Sequence, residues 1–268
     1  MPEIEIAVLG PLKTMFAGHE VRLAGRKLRC IVAVLAVRVG ETVHRDELIE
    51  ELGLVRTTKD AKNTLHAHMA RVRRWLAHNS GGADLLETSA AGYRLALPES
   101  SIDAHRFADL VDRALPLAGR TPAVVAAVLD EALGLWRGEA LVDVAEGPLL
   151  VTAADHLGQL RAAARQALLQ AWLALEQEGT VIFHARRFLA DDPLNEILWE
   201  HLIVALQRSG RSAEAMDSYH QAVQVLRREL GIGPGASLRA SVEHLREESI
   251  ADRPGNPLPG GPRFSTWK

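Results

Sequence analysis

The sequence predicts a mainly α protein with a small β part, built as two unlike halves. Three observations carry that reading. Residues 1–98 mix short alternating apolar segments with helical ones. Residues 99–250 read as helix after helix, separated by glycine and proline turns. Within that back half a degenerate period of 31 residues recurs: Gly179 and Gly210 each follow a helix bearing a tryptophan, Trp172 or Trp199, and each precedes an aromatic, Phe188 or Tyr219, by nine positions.

The front half opens with Glu3–Leu9, in which Ile4, Ile6 and Val8 alternate with Glu5 and Ala7, the pattern of a half-buried strand. Gly10-Pro11 ends it. Lys13–Phe16 and Glu20–Leu23 read as two further strands around Ala17-Gly18-His19, so an N-terminal antiparallel sheet is expected. Gly25–Val39 is a helix with Leu28, Ile31, Val32, Leu35, Ala36 and Val39 inward, and Gly40 is its C-terminal stop. Cys30 lies on this helix as a small buried hydrophobe, with no activating partner at a suitable spacing. After a brief extended Thr42-Val43 comes a second helix, His44–Leu52, and a short connection, Gly53–Thr58.

Lys59–Ala77 is the third helix and the most informative stretch. At about 100° per residue Ala61, Leu65, Met69, Val72 and Leu76 form one apolar stripe. The remaining surface holds Lys59, Lys62, Arg71, Arg73 and Arg74 against one carboxylate, Asp60, with Ala67 and Ala70 at its middle. Small residues between arginines let a helix backbone approach another surface closely. A helix that buries one stripe and offers cations, amides and methyl groups on the other suits a DNA major groove. Leu85–Thr88 and Tyr93–Leu97 then form a hairpin around Ser89–Gly92, with Tyr93, Leu95 and Leu97 on one face and Arg94 and Ala96 on the other. Sheet, three helices and hairpin in that order make a winged helix-turn-helix.

In the back half, Ile102–Ala118 is a helix with Asp103 as its N-cap, and Thr121–Trp136 is one with Thr121 as cap and Pro122 in the first turn. Leu149–Gln177, Val181–Ala190, Leu194–Arg208, Ala213–Leu230 and Ser237–Ile250 follow. Turns are expected at Gly179, Asp192-Pro193, Ser209-Gly210 and Gly231–Gly235. Alternating helix pairs with this glycine beat give an all-α, tetratricopeptide-like helical repeat domain. Residues 251–268 hold four prolines and three glycines and read as a disordered tail, in which Phe264 and Trp267 are the apolar exceptions.

The runs GRKLRCIVAVLAVRVGETVHRDELIEEL and NTLHAHMARVRRWL and the hairpin ending AAGYRLAL resemble the DNA-binding domain of the OmpR/PhoB class, and most closely its actinobacterial branch, the SARP regulators (Streptomyces antibiotic regulatory proteins). ALGLWRGEALVDV and the run from Asp191 to Ala240 resemble that family's second domain, the bacterial transcriptional activation domain. The resemblance implies that the third helix recognises DNA and that the hairpin is a wing whose Gly-Tyr-Arg brings an arginine to the minor groove. Carried over by position, Asn63, Thr64, His66, Ala67, His68, Arg71, Arg73 and Arg74 would face DNA, with Arg94 the wing contact. One departure is visible: the family's tryptophan after the leucine ending the second helix is Gly53 here.

It further implies a transcription activator that binds direct repeats in promoter double-stranded DNA as side-by-side copies, forming a homodimer there, and recruits RNA polymerase, including its sigma factor. The regulated target would be a secondary-metabolite, or antibiotic, gene cluster. With no receiver module ahead of the winged part and no ATPase module behind, the short form of the family is expected. The resulting division is 1–98, a DNA-binding domain; 99–250, an activation domain; and 251–268, the tail.

Charge and motifs agree with this reading. The front half carries 14 Lys and Arg against 11 Asp and Glu, the remainder 17 against 23, so only the front suits a polyanion. A single cysteine permits no internal disulfide and fits a cytoplasmic protein. No signal peptide or membrane span is expected. His66 and His68, two apart on a helix, point about 200° apart and cannot share a metal ion. Gly231-x-Gly233-x-Gly235 follows a helix, not a strand, and so reads as a cap and turn instead of a phosphate loop. No Walker, G-x-S-x-G or HExxH motif occurs, so neither a cofactor nor an enzymatic role is expected. The rival reading is a helical-repeat scaffold or ligand sensor whose winged domain binds protein.

Overall fold

The computed structural model describes residues 4–57 and 60–251. The proposed tail, with Phe264 and Trp267, and Lys59 at the start of the cationic helix lie outside the described residues. The chain divides into two compact units, Met1–Leu175 and Glu176 onward.

The first unit begins with an antiparallel sheet of β1 (Ile4–Ala7), β2 (Lys13–Phe16) and β3 (His19–Glu20). Ile4 pairs with Phe16 and Ile6 with Thr14, which buries Ile4, Ile6 and Phe16 on one face. The third strand is shorter than the expected Glu20–Leu23; just beyond it Val21 N–H still donates to Thr14 O at 3.0 Å, and the Val21 carbonyl accepts from the buried Thr14 hydroxyl.

Next come α1 (Arg26–Val37), β4 (Val43–His44), α2 (Arg45–Glu51), a short α3 (Leu54–Thr57) and α4 (Ala61–Asn79). The hairpin β5 (Leu86–Thr88) and β6 (Gly92–Leu95) closes the winged part, with β6 central between β4 and β5. Gly53 turns the chain at φ 58, a left-handed conformation suited to glycine, and the expected plain connection is instead the turn of α3. Cys30 is buried, and burial with the nearby Glu51 carboxylate pushes its thiol up to about 12, so it packs as a hydrophobe.

The unit does not end with the hairpin. Helices α5 (Asp103–Ala114), α6 (Pro122–Gly134) and α7 (Pro148–Ala174) pack in sequence and return to the winged part. Asp103 is not an N-cap, as expected, but the first helical residue. Its buried carboxylate accepts from Val8 N–H at 2.6 Å and Leu9 N–H at 3.1 Å, continuing the end of β1. Burial pushes this carboxyl up, while those N–H groups and Arg137 pull it back down. Thr121 sits at the N-cap position of α6 without a side-chain capping bond, and Pro122 supplies the first turn.

The segment between α6 and α7 is stitched to the sheet: Arg137 N–H donates to Leu9 O at 2.8 Å, Leu141 N–H to Val8 O at 2.9 Å, and Leu12 N–H to Asp143 Oδ1 at 2.8 Å. Asp143 also pairs with Arg29 of α1 at 3.0 Å. Glu51, at the end of α2, caps α7. Its carboxylate accepts from Leu149 N–H at 2.7 Å and Leu150 N–H at 3.2 Å, meeting the orphan donors of that helix start.

The second unit holds α8 (Glu178–Asp191), α9 (Glu196–Arg208), α10 (Ser212–Leu230) and α11 (Ala236–Ala251), with α8 on α9, α9 on α10, and α11 against both α9 and α10. Gly179 is not a turn residue; it lies in the first turn of α8, and Glu176 takes the left-handed turn at φ 55. Gly210 does close its helix at φ 72, with Gly210 N–H on Gln207 O and Arg211 N–H on Leu206 O, a Schellman cap. Phe188 and Tyr219 are buried, and Trp199 is buried with its Nε1–H on Pro193 O at 2.9 Å. Gly231 ends α10 in the left-handed conformation, as a cap and not a phosphate loop. The fold is thus mainly α with a small N-terminal β part and a helical repeat domain behind it.

Candidate nucleic-acid interface

Helix α4 starts where Asp60 accepts from Asn63 N–H at 3.0 Å, and it ends in a second Schellman cap with Gly82 N–H on Ala77 O at 2.8 Å. Leu65, Met69, Val72 and Leu76 are each at most 2 % exposed, while Ala61, at the helix start, is half-buried. Each buried aliphatic contributes about 1.5–3 kcal/mol, so this stripe fixes the helix's rotation about its axis. Trp75 packs edge-on against Phe16 of β2, with ring centroids 5.2 Å apart, and ties α4 to the N-terminal sheet.

With that stripe inward, Lys62, Asn63, His66, Ala67, Ala70, Arg71 and Arg74 are all exposed on the outer side. Among the described residues, neither Arg71 nor Arg74 pairs with a carboxylate; Arg74 Nε makes only a long contact, 3.4 Å, with Ala70 O of its own helix. The side chains of Asn63 and Thr64 bond back to Asp60, so both sit at the helix entry in set rotamers. His68 is half-buried, and its Nδ1 is buried without a hydrogen-bond partner. Burial, with Lys27 and Arg71 nearby, holds its imidazole below the usual histidine range. His68 is therefore a packed neutral ring at the edge of the cationic face. Among the described residues no cluster of metal-binding side chains occurs, at His66 and His68 or elsewhere.

Arg73 and Arg94 lie in a different setting from Arg71 and Arg74. Arg73 reaches the hairpin, donating to Leu86 O at 2.9 Å and to the Thr88 hydroxyl at 2.5 Å. Arg94 lies opposite Glu87 in the β5–β6 register and pairs with it at 2.8 Å, with both side chains almost half exposed. It stands on the flank of the hairpin, not at its tip.

The tip, Ser89–Ala91, is held by a residue that sequence reasoning missed. Arg45, the first residue of α2, donates to Ser89 O at 2.7 Å and to Ala90 O, and its guanidinium lies 5.7 Å from the centre of the buried Tyr93 ring. Gly92 permits the close pairing of β4 with β6, because a Cβ there would lie 1.9 Å from Val43 O. Glu47, in the first turn of α2, accepts from His44 N–H at 2.9 Å and from Arg38 at 3.0 Å; these bonds hold its carboxyl below the usual range. The hairpin is thus oriented by two arginines, one from α2 and one from α4.

The bacterial transcriptional activator domain matches residues 102–246. The transcriptional regulator RedD of Streptomyces coelicolor is 35% identical over 88% of this chain and 68% of its own length. The regulatory protein DnrI of Streptomyces peucetius is 30% identical over 96% of this chain and 97% of its own. Among solved structures, Mycobacterium tuberculosis EmbR in complex with a low-affinity phosphopeptide superposes with a TM-score of 0.83 at 27% identity, over 92% of this chain and 66% of that one. Among the described residues no helix is long and apolar enough to cross a membrane. The chain belongs to the bacterial transcriptional activator domain family and is a transcriptional regulator of the SARP type.

Proposed function

We propose that the chain binds promoter DNA by laying α4 in the major groove and setting the β5–β6 hairpin against the adjacent backbone or minor groove. One observation carries this reading: the outer face of α4 presents Lys62, Arg71 and Arg74 around Ala67 and Ala70, with both guanidinium groups unpaired by carboxylates among the described residues. Such a face has cations for phosphates and guanine edges, and methyl-sized residues where the backbone must come close. Asn63, Thr64 and His66 lie at the end that would enter the groove first. Arg73 and His68 support the face from behind, and Arg94 reaches a phosphate by exchanging Glu87 for it.

Residues 1–98 act as the DNA reader and 99–250 as the activation domain. In that reading two copies sit side by side on direct repeats, and the acidic helical part recruits RNA polymerase through its sigma factor. The regulated genes are a secondary-metabolite biosynthetic cluster, as the resemblance to the SARP regulators implies. The protein works in the cytoplasm, on the nucleoid, and carries out no chemistry of its own. A gel-shift and footprint on promoters neighbouring its own gene tests this. A protected direct repeat in the footprint supports it. No retarded complex at low salt, with the winged part instead capturing a protein partner, favours the scaffold reading.

A further inference from the structure

We propose that the groove between α1, α5 and α7 binds a small amphiphilic carboxylate, an organic acid with an apolar body. The groove measures about 430 Å³, within the range of small-molecule sites, roughly 300–1,000 Å³. Its walls are apolar: Val34 and Val37 from α1, Ala108 from α5, and Leu149, Leu150 and Leu157 from α7. Its polar groups are Thr152, Arg38, His105 and His156, and no carboxylate occurs among the described residues that line it.

That charge pattern selects the occupant. Glu47 takes one terminal nitrogen of Arg38, at 3.0 Å, which leaves further donors on the guanidinium fork. His105 is oriented by its Nε2, 2.9 Å from Val37 O; that carbonyl can only accept, so Nε2 carries a proton. An apolar body with one anionic end matches apolar walls beside the remaining donors of that guanidinium. A cationic amphiphile of the same length does not.

The site also has a route to the rest of the unit. Leu149 and Leu150 line the groove, and their N–H groups are the ones that Glu51 of α2 accepts. Helix α2 in turn packs on α4. An occupant that shifts the first turn of α7 therefore acts on the helix supporting the cationic face. This coupling rests on the DNA-binding reading; the binding site itself does not.

The test uses the full chain and octanoate as probe, with octylammonium as the charge-reversed control, by calorimetric titration and thermal melting. Saturable octanoate binding is expected, tighter than octylammonium by about tenfold, with a raised melting temperature. Ala153→Trp, which fills the groove, should abolish octanoate binding while the far-ultraviolet circular dichroism is kept. Arg38→Gln should remove the preference for carboxylate over ammonium and leave apolar binding in place. Should Ala153→Trp fail to fold, Ala108→Met fills the opposite wall. Equal binding of the two amphiphiles by the wild type, or undiminished octanoate binding by a filled and folded variant, overturns the proposal. Because these readouts contain no DNA, they fail or succeed independently of the gel-shift.

Discussion

The guanidinium of Arg73 donates to the carbonyl oxygen of Leu86 at 2.9 Å, so helix α4 carries the hairpin beside it. Arg71, two residues earlier, is exposed and touches no carboxylate among the described residues. Their substitutions should separate. Arg73→Ala removes a charge-assisted bond that positions the hairpin and should lower unfolding stability by about 1–2 kcal/mol in urea titration. Arg71→Ala should leave stability within about 0.5 kcal/mol and show itself only in DNA affinity.

Arg94 is paired with Glu87, and in the proposed DNA complex Glu87 would compete with phosphate for it. The pair is exposed and contributes about 0–1 kcal/mol, so a phosphate can replace the carboxylate at little cost. Glu87→Gln should tighten DNA binding at low salt, and Arg94→Ala should weaken it without loss of fold, both read by fluorescence anisotropy. Unfolding of the Arg94→Ala chain would place that side chain among the structural residues.

His68 gives a pH dependence with a defined sign. Its folded-state pKa lies below the ordinary value of 6.5, chiefly through burial. The unfolded chain therefore takes up the proton first as pH falls. The stability His68 contributes is complete above pH 6.5 and is lost as pH drops through the lower folded value. Urea midpoints at pH 7.5 and 5.5 should differ less for His68→Gln than for the wild type. An unchanged difference would show that the ring protonates freely in the folded state.

Gly147 precedes α7, and a Cβ there would lie 2.3 Å from Glu51 Cδ. Gly147→Ala must displace the carboxylate that caps Leu149 and Leu150. The expected loss is about 1–3 kcal/mol, measured by thermal melting. A neutral substitution would mean that the cap relaxes without cost.

Local periodicity made much of this architecture legible. The spacing of Leu65, Met69, Val72 and Leu76 fixed which face of α4 is outward, and the alternation at Tyr93 and Leu95 gave the inner face of the hairpin. What it did not reveal depends on partners far away in the chain. Asp103 is a plausible N-cap by local rules, yet its carboxylate serves Val8 and Leu9, some 95 positions away. Gly179 looked like a turn because a glycine after a helix usually is one, while the strained position fell on Glu176. Arg73 and Arg74 are adjacent cations of the same kind; only the fold shows that one faces the hairpin and the other solvent. Arg45 and Glu51 carried no local signal, since the groups they serve come from a later hairpin and a later helix.

The most direct measurement is the salt dependence of affinity for a promoter direct repeat, for the wild type and Arg71→Ala. With about six phosphates neutralised, log K should fall against log salt with a slope near −5, and Arg71→Ala should reduce that slope by about 1. Binding insensitive to salt, or a slope that Arg71→Ala leaves unchanged, would contradict the assignment of the outer face of α4 to DNA.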